Sequence, residues 1–276
     1  MKKPNKISAV FAVTLACALT LVGCSATPAP SASPAADNSP NTITKGVLRI
    51  GTVTDNKPYS YIANGKNTGL DIDLMTEFAK RQHLKTEFVQ IEFSSLIPAV
   101  ASKQIDVAAA SISNTEERRK VVDFSDPYMI GPIAVLSKKG SGITKDTSSL
   151  AGIRLGLIQG TIQDGYATDH DFKANIVRFP DNNTGVAALK TGSIDGFFMD
   201  APLASDYAAA DDNLEIPIVI YDNQAPYGIA FNKENPGLKS AFDKVLKDLI
   251  ADGTLEKMQV KNLPGLPVND VFKPKE

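Results

Sequence analysis

Cysteine, histidine and tryptophan are scarce or missing in this chain of 276 residues. It has two cysteines, Cys17 and Cys24, two histidines, His83 and His170, and no tryptophan. A fold held by disulfide bonds and a zinc site of cysteine and histidine are therefore not expected. The 29 basic residues do not outnumber the 31 acidic ones, so no positive excess exists to neutralise the phosphates of a nucleic acid.

Long apolar runs are missing too, except at the N-terminus. Lysines at positions 2, 3 and 6 precede an apolar run over residues 7–21, which is typical of a secretory signal and too short for an ordinary membrane span. The run ends in Leu-Val-Gly-Cys, which resembles the lipobox of bacterial lipoproteins. That resemblance implies a signal peptide over residues 1–23, a diacylglyceryl group on Cys24 and an anchor in the cell membrane. A plain secretory signal with an accidental cysteine is the alternative.

Alanine, serine and proline dominate the next segment, residues 24–43, which shows no hydrophobic period. This composition predicts a disordered tether after the lipidated cysteine.

Strand and helix patterns alternate from residue 44 onward. Predicted strands are 47–53, 85–92, 106–112, 154–158, 175–179, 196–199 and 216–221, and predicted helices are 69–81, 95–102, 162–168, 184–191 and 202–210. A last helix starts with Asn235 as its N-cap and Pro236 as its first residue, and we expect it to stop at Gly253. Repeated β-then-α order predicts an α/β fold with a mostly parallel sheet.

Three groups of motifs carry a family resemblance. The first is Gly-Leu-Asp-Ile-Asp-Leu at residues 69–74. The second comprises residues 93–99, 106–107, 111–118 and 122–128, and the third comprises residues 160–161, 195–200 and 227–230. In this order, over about residues 46–258, they resemble the polar amino-acid family of periplasmic-type solute-binding proteins (bacterial extracellular solute-binding protein family 3), the receptors of ABC importers.

The resemblance implies a periplasmic-binding-protein type II fold. Two α/β lobes would be joined by two crossing strands, near residues 128–132 and 223–227. Lobe 1 would be discontinuous, with residues 44–127 plus 228–276, and lobe 2 would hold residues 133–222. A ligand would lie between the lobes, at the carboxyl ends of strands.

The resemblance assigns the ligand's α-carboxylate to Arg118, assisted by the backbone N–H of Ser113 and by Thr161. A guanidinium fork suits a carboxylate. The alternative for Arg118 is a solvated helix residue, which is how we interpret its neighbour Arg119.

The α-amino group is assigned to Asp200, with the Ala110 carbonyl and Ser111 as further acceptors. An aspartate before an early helical proline is also a natural N-cap, and both roles remain open for Asp200. Asp200→Asn separates them, because asparagine caps equally well but carries no charge.

Aromatic walls are expected around the aliphatic part of the ligand. Phe93 follows the wall position of the family, and Tyr59 and Tyr61 are further candidates that packing in the core explains equally well. Tyr227 is expected either to serve as a hinge or to line the cleft.

Three departures from the family bear on specificity. Val53 and Asn56 stand where members that bind cationic side chains usually carry an acid and an aromatic ring. Burying a cation without a carboxylate is costly, so these positions argue against lysine, arginine or ornithine as the ligand. Asp55 or Gln163 could still take the place of the missing acid. Ile162 also stands where a small or polar residue is common. A neutral polar amino acid is the preferred ligand, and an acidic or modified one stays open.

The resulting prediction is a lipid-anchored, monomeric, extracytoplasmic receptor that delivers an amino acid to separate ABC permease and ATPase subunits. No catalytic Ser-His-Asp set, metal cluster or phosphate loop is evident, so we expect no enzyme and no cofactor. The alternatives are an enzyme on the same fold, like the cyclohexadienyl dehydratases, and a receptor that feeds a sensor.

Overall fold

The structure is a computed structural model that describes residues 40–221 and 225–274. The predicted signal peptide, Cys24, most of the tether and part of the second crossing lie outside these residues. The strands are β1 (Val47–Thr52), β2 (Asp55–Asn56), β3 (Ser60–Ala63), β4 (Lys66–Thr68), β5 (Lys85–Gln90), β6 (Val107–Ala108), β7 (Asp123–Phe124), β8 (Ile133–Lys138), β9 (Arg154–Ile158), β10 (Asn175–Phe179), β11 (Gly196–Asp200), β12 (Leu214–Ile220) and β13 (Ala230–Phe231). The helices are α1 (Leu70–Arg81), α2 (Phe93–Ala101), α3 (Glu116–Arg119), α4 (Ile162–Asp169), α5 (Asn182–Thr191), α6 (Ala201–Ala210), α7 (Pro236–Ala251) and α8 (Thr254–Asn262).

Lobe 1 is built on a five-stranded sheet in the order β5-β1-β6-β13-β7. Strands β5, β1 and β6 run parallel, whereas β13 runs antiparallel to both of its neighbours. Successive residues of a strand face opposite sides of a sheet, so Phe231 packs with α1 and α7, while Ala230 packs with α2. Because β13 follows the strands of lobe 2 in the chain, lobe 1 is discontinuous.

Lobe 2 has its own five-stranded sheet, in the order β10-β9-β11-β8-β12. Here β10, β9 and β11 are parallel, and β8 is antiparallel to β11 and β12. One face packs against Val186 of α5 and Leu203 of α6, and the other against Ala167 of α4. The apolar stripes of these helices thus bury both faces of the sheet, as α/β architecture requires.

Residues between β7 and β8 form the first crossing from lobe 1 to lobe 2, and the described end of the second crossing lies beside it. Tyr227 in the second crossing donates its N–H to the carbonyl of Met129 in the first at 2.8 Å, and it forms isolated bridges with Met129 and Ser113. Paired crossings of this kind let two rigid lobes move about a few residues.

The structure corrects the predictions made from the sequence for several helices and strands. The strand predicted over 106–112 ends as β6 at Ala108, because the chain soon bends into a left-handed conformation at Ser111, with φ +46°. The sequence missed the buried strand β8, the hairpin β3–β4 and helix α8. Gly253, the expected helix stop, has φ +71° and is also the residue from which α8 starts. Within the described residues, no helix combines the length and the apolar character needed to span a membrane.

Candidate ligand-binding site

A cavity of about 600 Å³ lies between the two lobes, within the usual range for small-molecule sites. Its lining includes residues at the carboxyl ends of parallel strands from both sheets, among them Val53 after β1, Ile158 at the end of β9 and Asp200 at the end of β11. Strand ends in open α/β sheets leave a crevice where polar groups converge. The cavity is therefore the candidate site.

Arg118 reaches this cavity from the short helix α3. Thr115 caps α3 and accepts the backbone N–H of Arg118 at 3.3 Å. The guanidinium donates to the carbonyl of Ser113 at 2.7 Å and, across the cleft, to the carbonyl of Gly160 at 2.8 Å. It also lies over the Phe93 ring, 5.4 Å from the centroid.

The charge of Arg118 has no hydrogen-bonded carboxylate among the described residues, since its two acceptors are neutral carbonyls. Burial lowers its pKa to about 10, and the nearby charge of Glu117 only partly offsets this effect. A half-buried guanidinium without a counter-ion favours an anion.

Asp200 faces the same cavity from lobe 2. Its carboxylate accepts a hydrogen bond from Gln163 Nε2 at 2.8 Å and another from Ser111 Oγ at 3.2 Å, the latter across the cleft. Asn56 donates to the same Ser111 hydroxyl at 2.8 Å. Burial raises the pKa of Asp200, against the opposing effect of these polar neighbours. None of these neighbours carries a positive charge, so the half-buried carboxylate favours a cation.

Asp200 occupies the N-cap position of α6, but its side chain accepts no helix N–H. The capping role that the sequence left open is therefore wrong for this side chain, which points into the cleft instead. Pro202 reduces the need for a cap, because its ring removes one of the unpaired N–H groups at the start of the helix.

Asp71 supports the site from behind. It is fully buried, accepts the Tyr128 hydroxyl at 2.5 Å and accepts the backbone N–H of Ser111 at 2.7 Å. It thus holds Ser111 in its left-handed conformation beside Asp200. Burial is the largest effect on the pKa of Asp71, which rises to about 6.

Seven of the predicted site residues line the cavity together, namely Arg118, Asp200, Ser113, Ser111, Thr161, Phe93 and Gln163. Thr161 is already engaged within lobe 2, where its hydroxyl donates to the carbonyl of Ile158 at 2.8 Å and caps α4. Gln163 is buried beside Asp200.

Three predicted site residues lie outside the lining. Ala110 is fully buried behind Ser111. Tyr59 and Tyr227 pack edge to face at 5.4 Å in the core of lobe 1, and both hydroxyls are buried without a partner among the described residues. Tyr59 is therefore a core residue, as the alternative interpretation had it, and it does not form a wall against the ligand. Tyr227 lies at the crossing, where a hinge residue is expected.

The sequence missed the part of the site that α5 provides. Asn182 and Asn183 begin this helix and line the cavity, opposite Asp55. The sequence did contain an indication of this part of the site. Asp181 is an N-cap residue shortly after strand β10, where a helix N-terminus faces the crevice.

Comparison with known proteins agrees with this architecture. Residues 48–264 match the family described as bacterial extracellular solute-binding proteins, family 3. The lysine/arginine/ornithine-binding periplasmic protein of Escherichia coli (strain K12) is 31% identical over 227 residues, which cover 78% of this chain and 86% of that protein. The arginine-binding extracellular protein ArtP of Bacillus subtilis (strain 168) is 33% identical over 237 residues, covering 83% and 90%.

Solved structures show the same two-lobed fold. An ancestral arginine-binding protein bound to arginine is 33% identical, with a TM-score of 0.75, and the match covers 79% of this chain and 99% of that one. An ancestral arginine-binding protein bound to glutamine gives a TM-score of 0.76 at 33% identity, with coverage of 80% and 99%. These relatives are binding proteins and not enzymes. The chain therefore belongs to family 3 of the bacterial extracellular solute-binding proteins.

Proposed function

We propose that this protein is a receptor that binds one free amino acid between its lobes and delivers it to an ABC permease. One observation supports this most strongly. Arg118 of lobe 1 and Asp200 of lobe 2 face one cavity, and each lacks a hydrogen-bonded partner of opposite charge among the described residues. An α-amino acid zwitterion supplies both missing charges in one small molecule.

The roles of the residues follow from their chemistry. The ligand carboxylate binds the guanidinium of Arg118, aided by Ser113 and Thr161, and the ammonium binds Asp200 and Ser111. Phe93 covers the aliphatic part of the ligand. Because Arg118 and Asp200 belong to different lobes, a bound zwitterion links the lobes and favours the closed form.

The ligand's side chain is proposed to be polar and uncharged. Val53 and Asn56 line the cavity where an acid and an aromatic ring would serve a cation. Gln90 and Asn183 extend this lining with neutral carboxamides, which suit a neutral polar group. Relatives named for arginine make arginine the main competitor, and the ancestral protein with glutamine bound shows that a related cleft accepts a neutral side chain.

The remaining proposals concern the location of the protein. The resemblance to a lipobox implies that Cys24 is lipidated and that the mature protein is tethered outside the cytoplasm, where we propose that it acts as a monomer. Palmitate labelling of the intact chain and of Cys24→Ser tests this, since only the intact chain is expected to incorporate label.

A thermal-shift screen of the protein against the proteinogenic amino acids, cystine, ornithine and citrulline tests the proposed function. A ligand at 100 times its dissociation constant stabilises the fold by about 2.7 kcal/mol. We expect a clear shift with at least one neutral polar amino acid and its loss in Arg118→Ala. Arg119→Ala is the matched control, because Arg119 donates to Asn114 outside the cavity. No shift with any compound, from a folded protein, would contradict the proposal.

A further inference from the structure

Three consecutive residues of lobe 1 reach across the cleft or into the ammonium site. Asp55 contacts the start of α5, Asn56 donates to Ser111, and Lys57 pairs with Asp206 of α6 at 2.5 Å. They follow β1 directly, at the mouth of the crevice. This short segment therefore touches two helices of the opposite lobe at once.

The contact of Asp55 differs from an ordinary surface pair. One oxygen of its carboxylate, Oδ2, accepts the backbone N–H of Asn182 at 2.7 Å and that of Asn183 at 3.1 Å. The first N–H groups of a helix have no partner within the helix, and they carry partial positive charge. The N-cap Asp181 already accepts the N–H of Thr184 at 2.8 Å, so an acid from each lobe shares the start of α5.

The hydrogen bonds of Asp55 also bear on whether its carboxylate could bind a cationic ligand side chain. Asp55 lines the cavity and is, with Gln163, one of the two residues that could replace the acid absent at Val53. Its carboxylate, however, is directed at the helix amides of the other lobe. Because Oδ2 already accepts two amides, only Oδ1 of this carboxylate would be left for a cationic ligand side chain.

We propose that Asp55 is a positioning residue that fastens lobe 2 over the bound amino acid through the first amides of α5, without contacting the ligand itself. The inference rests on the proposed function and extends it to the closing contact. Asp55 and α5 sit in different lobes, so the contact forms only when the lobes close.

Titration of the purified protein with L-glutamine and L-arginine tests this inference. Asp55→Ala removes the acceptor, and we expect affinity for whichever of these probes binds to fall about tenfold, by a similar factor for each. Asp55→Asn keeps one acceptor oxygen without a buried charge, so its affinity is expected to stay within about threefold. Lys57→Ala is the matched control, because its pair with Asp206 is half-exposed and contributes little.

Hydrogen exchange at the amides of Asn182 and Asn183 gives a readout that does not depend on affinity. We expect faster exchange in Asp55→Ala than in the wild type, near wild-type rates in Asp55→Asn, and no change in Lys57→Ala. Exchange is measured with and without each probe. If neither probe binds the wild type, the amino acid that gives the largest thermal shift in the screen replaces both. Equal exchange in wild type and Asp55→Ala under every condition would overturn the inference. So would a loss of arginine binding in both Asp55 variants with glutamine binding unchanged, because Asp55 would then be the acid for a cationic side chain.

Discussion

At the scale of single residues, charge without a counter-charge is the main feature of the site. Asp200 is half-buried among neutral donors, and loss of hydration raises its pKa. A bound ammonium favours the ionised carboxylate. We therefore expect affinity to fall as the pH drops through the raised pKa of Asp200, above the range of an ordinary aspartate.

Asp200→Asn isolates this charge. Asparagine fits the same space, and since Asp200 makes no capping hydrogen bond, we expect the free energy of unfolding to stay within about 0.5 kcal/mol. Ligand affinity is expected to fall at least about tenfold, or 1.4 kcal/mol. Calorimetric titration beside urea denaturation measures both quantities. Unchanged affinity would remove Asp200 from the ammonium site.

Asp71 gives a prediction about stability and pH. Its pKa rises from 3.8 to about 6 in the folded protein, so the folded state holds a proton that the unfolded state has lost between these values. The contribution of Asp71 to the free energy of unfolding is fully present below pH 3.8 and is lost as the pH rises through about 6. This contribution is about 3 kcal/mol at most.

Asp71→Asn tests that contribution, because asparagine does not titrate and still accepts the Ser111 N–H. From pH 4 to pH 7, we expect the unfolding free energy of the variant to rise relative to that of the wild type, approaching about 3 kcal/mol. Urea denaturation at several pH values measures the difference. Parallel pH profiles for the two proteins would contradict the raised pKa.

At the scale of elements, the start of α1 depends on Gly69. This residue has φ +124°, and a Cβ there would lie 2.2 Å from the carbonyl oxygen of Tyr59. That carbonyl accepts the N–H of Asp71, and the carbonyl of Pro58 accepts that of Leu70. Close approach at Gly69 thus satisfies two helix amides in place of a side-chain cap.

Gly69→Ala is expected to destabilise the fold by about 3 kcal/mol or more, because backbone strain and the clash with Tyr59 add together. Gly65→Ala is the matched control. Gly65 also has positive φ, at +72°, but nothing lies within 4 Å of its Cβ, so we expect a cost of about 1 kcal/mol. Denaturant midpoints compare the two variants. Equal losses would mean that the contact with Tyr59 carries no cost.

Elements were predictable where periodicity was strong. Apolar positions in α1 and α7 repeat at helical spacing, and both helices lie close to where the sequence puts them. Strand β6 is two residues long because the chain bends towards the site at Ser111, a tertiary effect that local pattern does not contain. Strand β8 was missed because its apolar residues follow a predicted crossing and look like its continuation.

At the scale of the whole molecule, closure joins groups that are far apart in the chain. Arg118 donates to Gly160, Ser111 donates to Asp200, and Asp55 accepts from Asn182, each across the cleft. Motifs in the sequence pointed to Arg118 and Asp200 through the family resemblance. Asp55 could not be assigned to α5 from the sequence, because its partners are backbone amides and any residue supplies those.

The most direct test of the central claim compares an amino acid with its own derivatives. Wild-type protein is titrated calorimetrically with the amino acid that gives the largest thermal shift, with its α-amide and with its N-acetyl form. The α-amide lacks the charge that Arg118 needs, and the N-acetyl form lacks the charge that Asp200 needs. We predict that each derivative binds at least about a hundredfold more weakly than the parent, or 2.7 kcal/mol. Equal affinity for the parent and either derivative would contradict a zwitterion held between the two lobes.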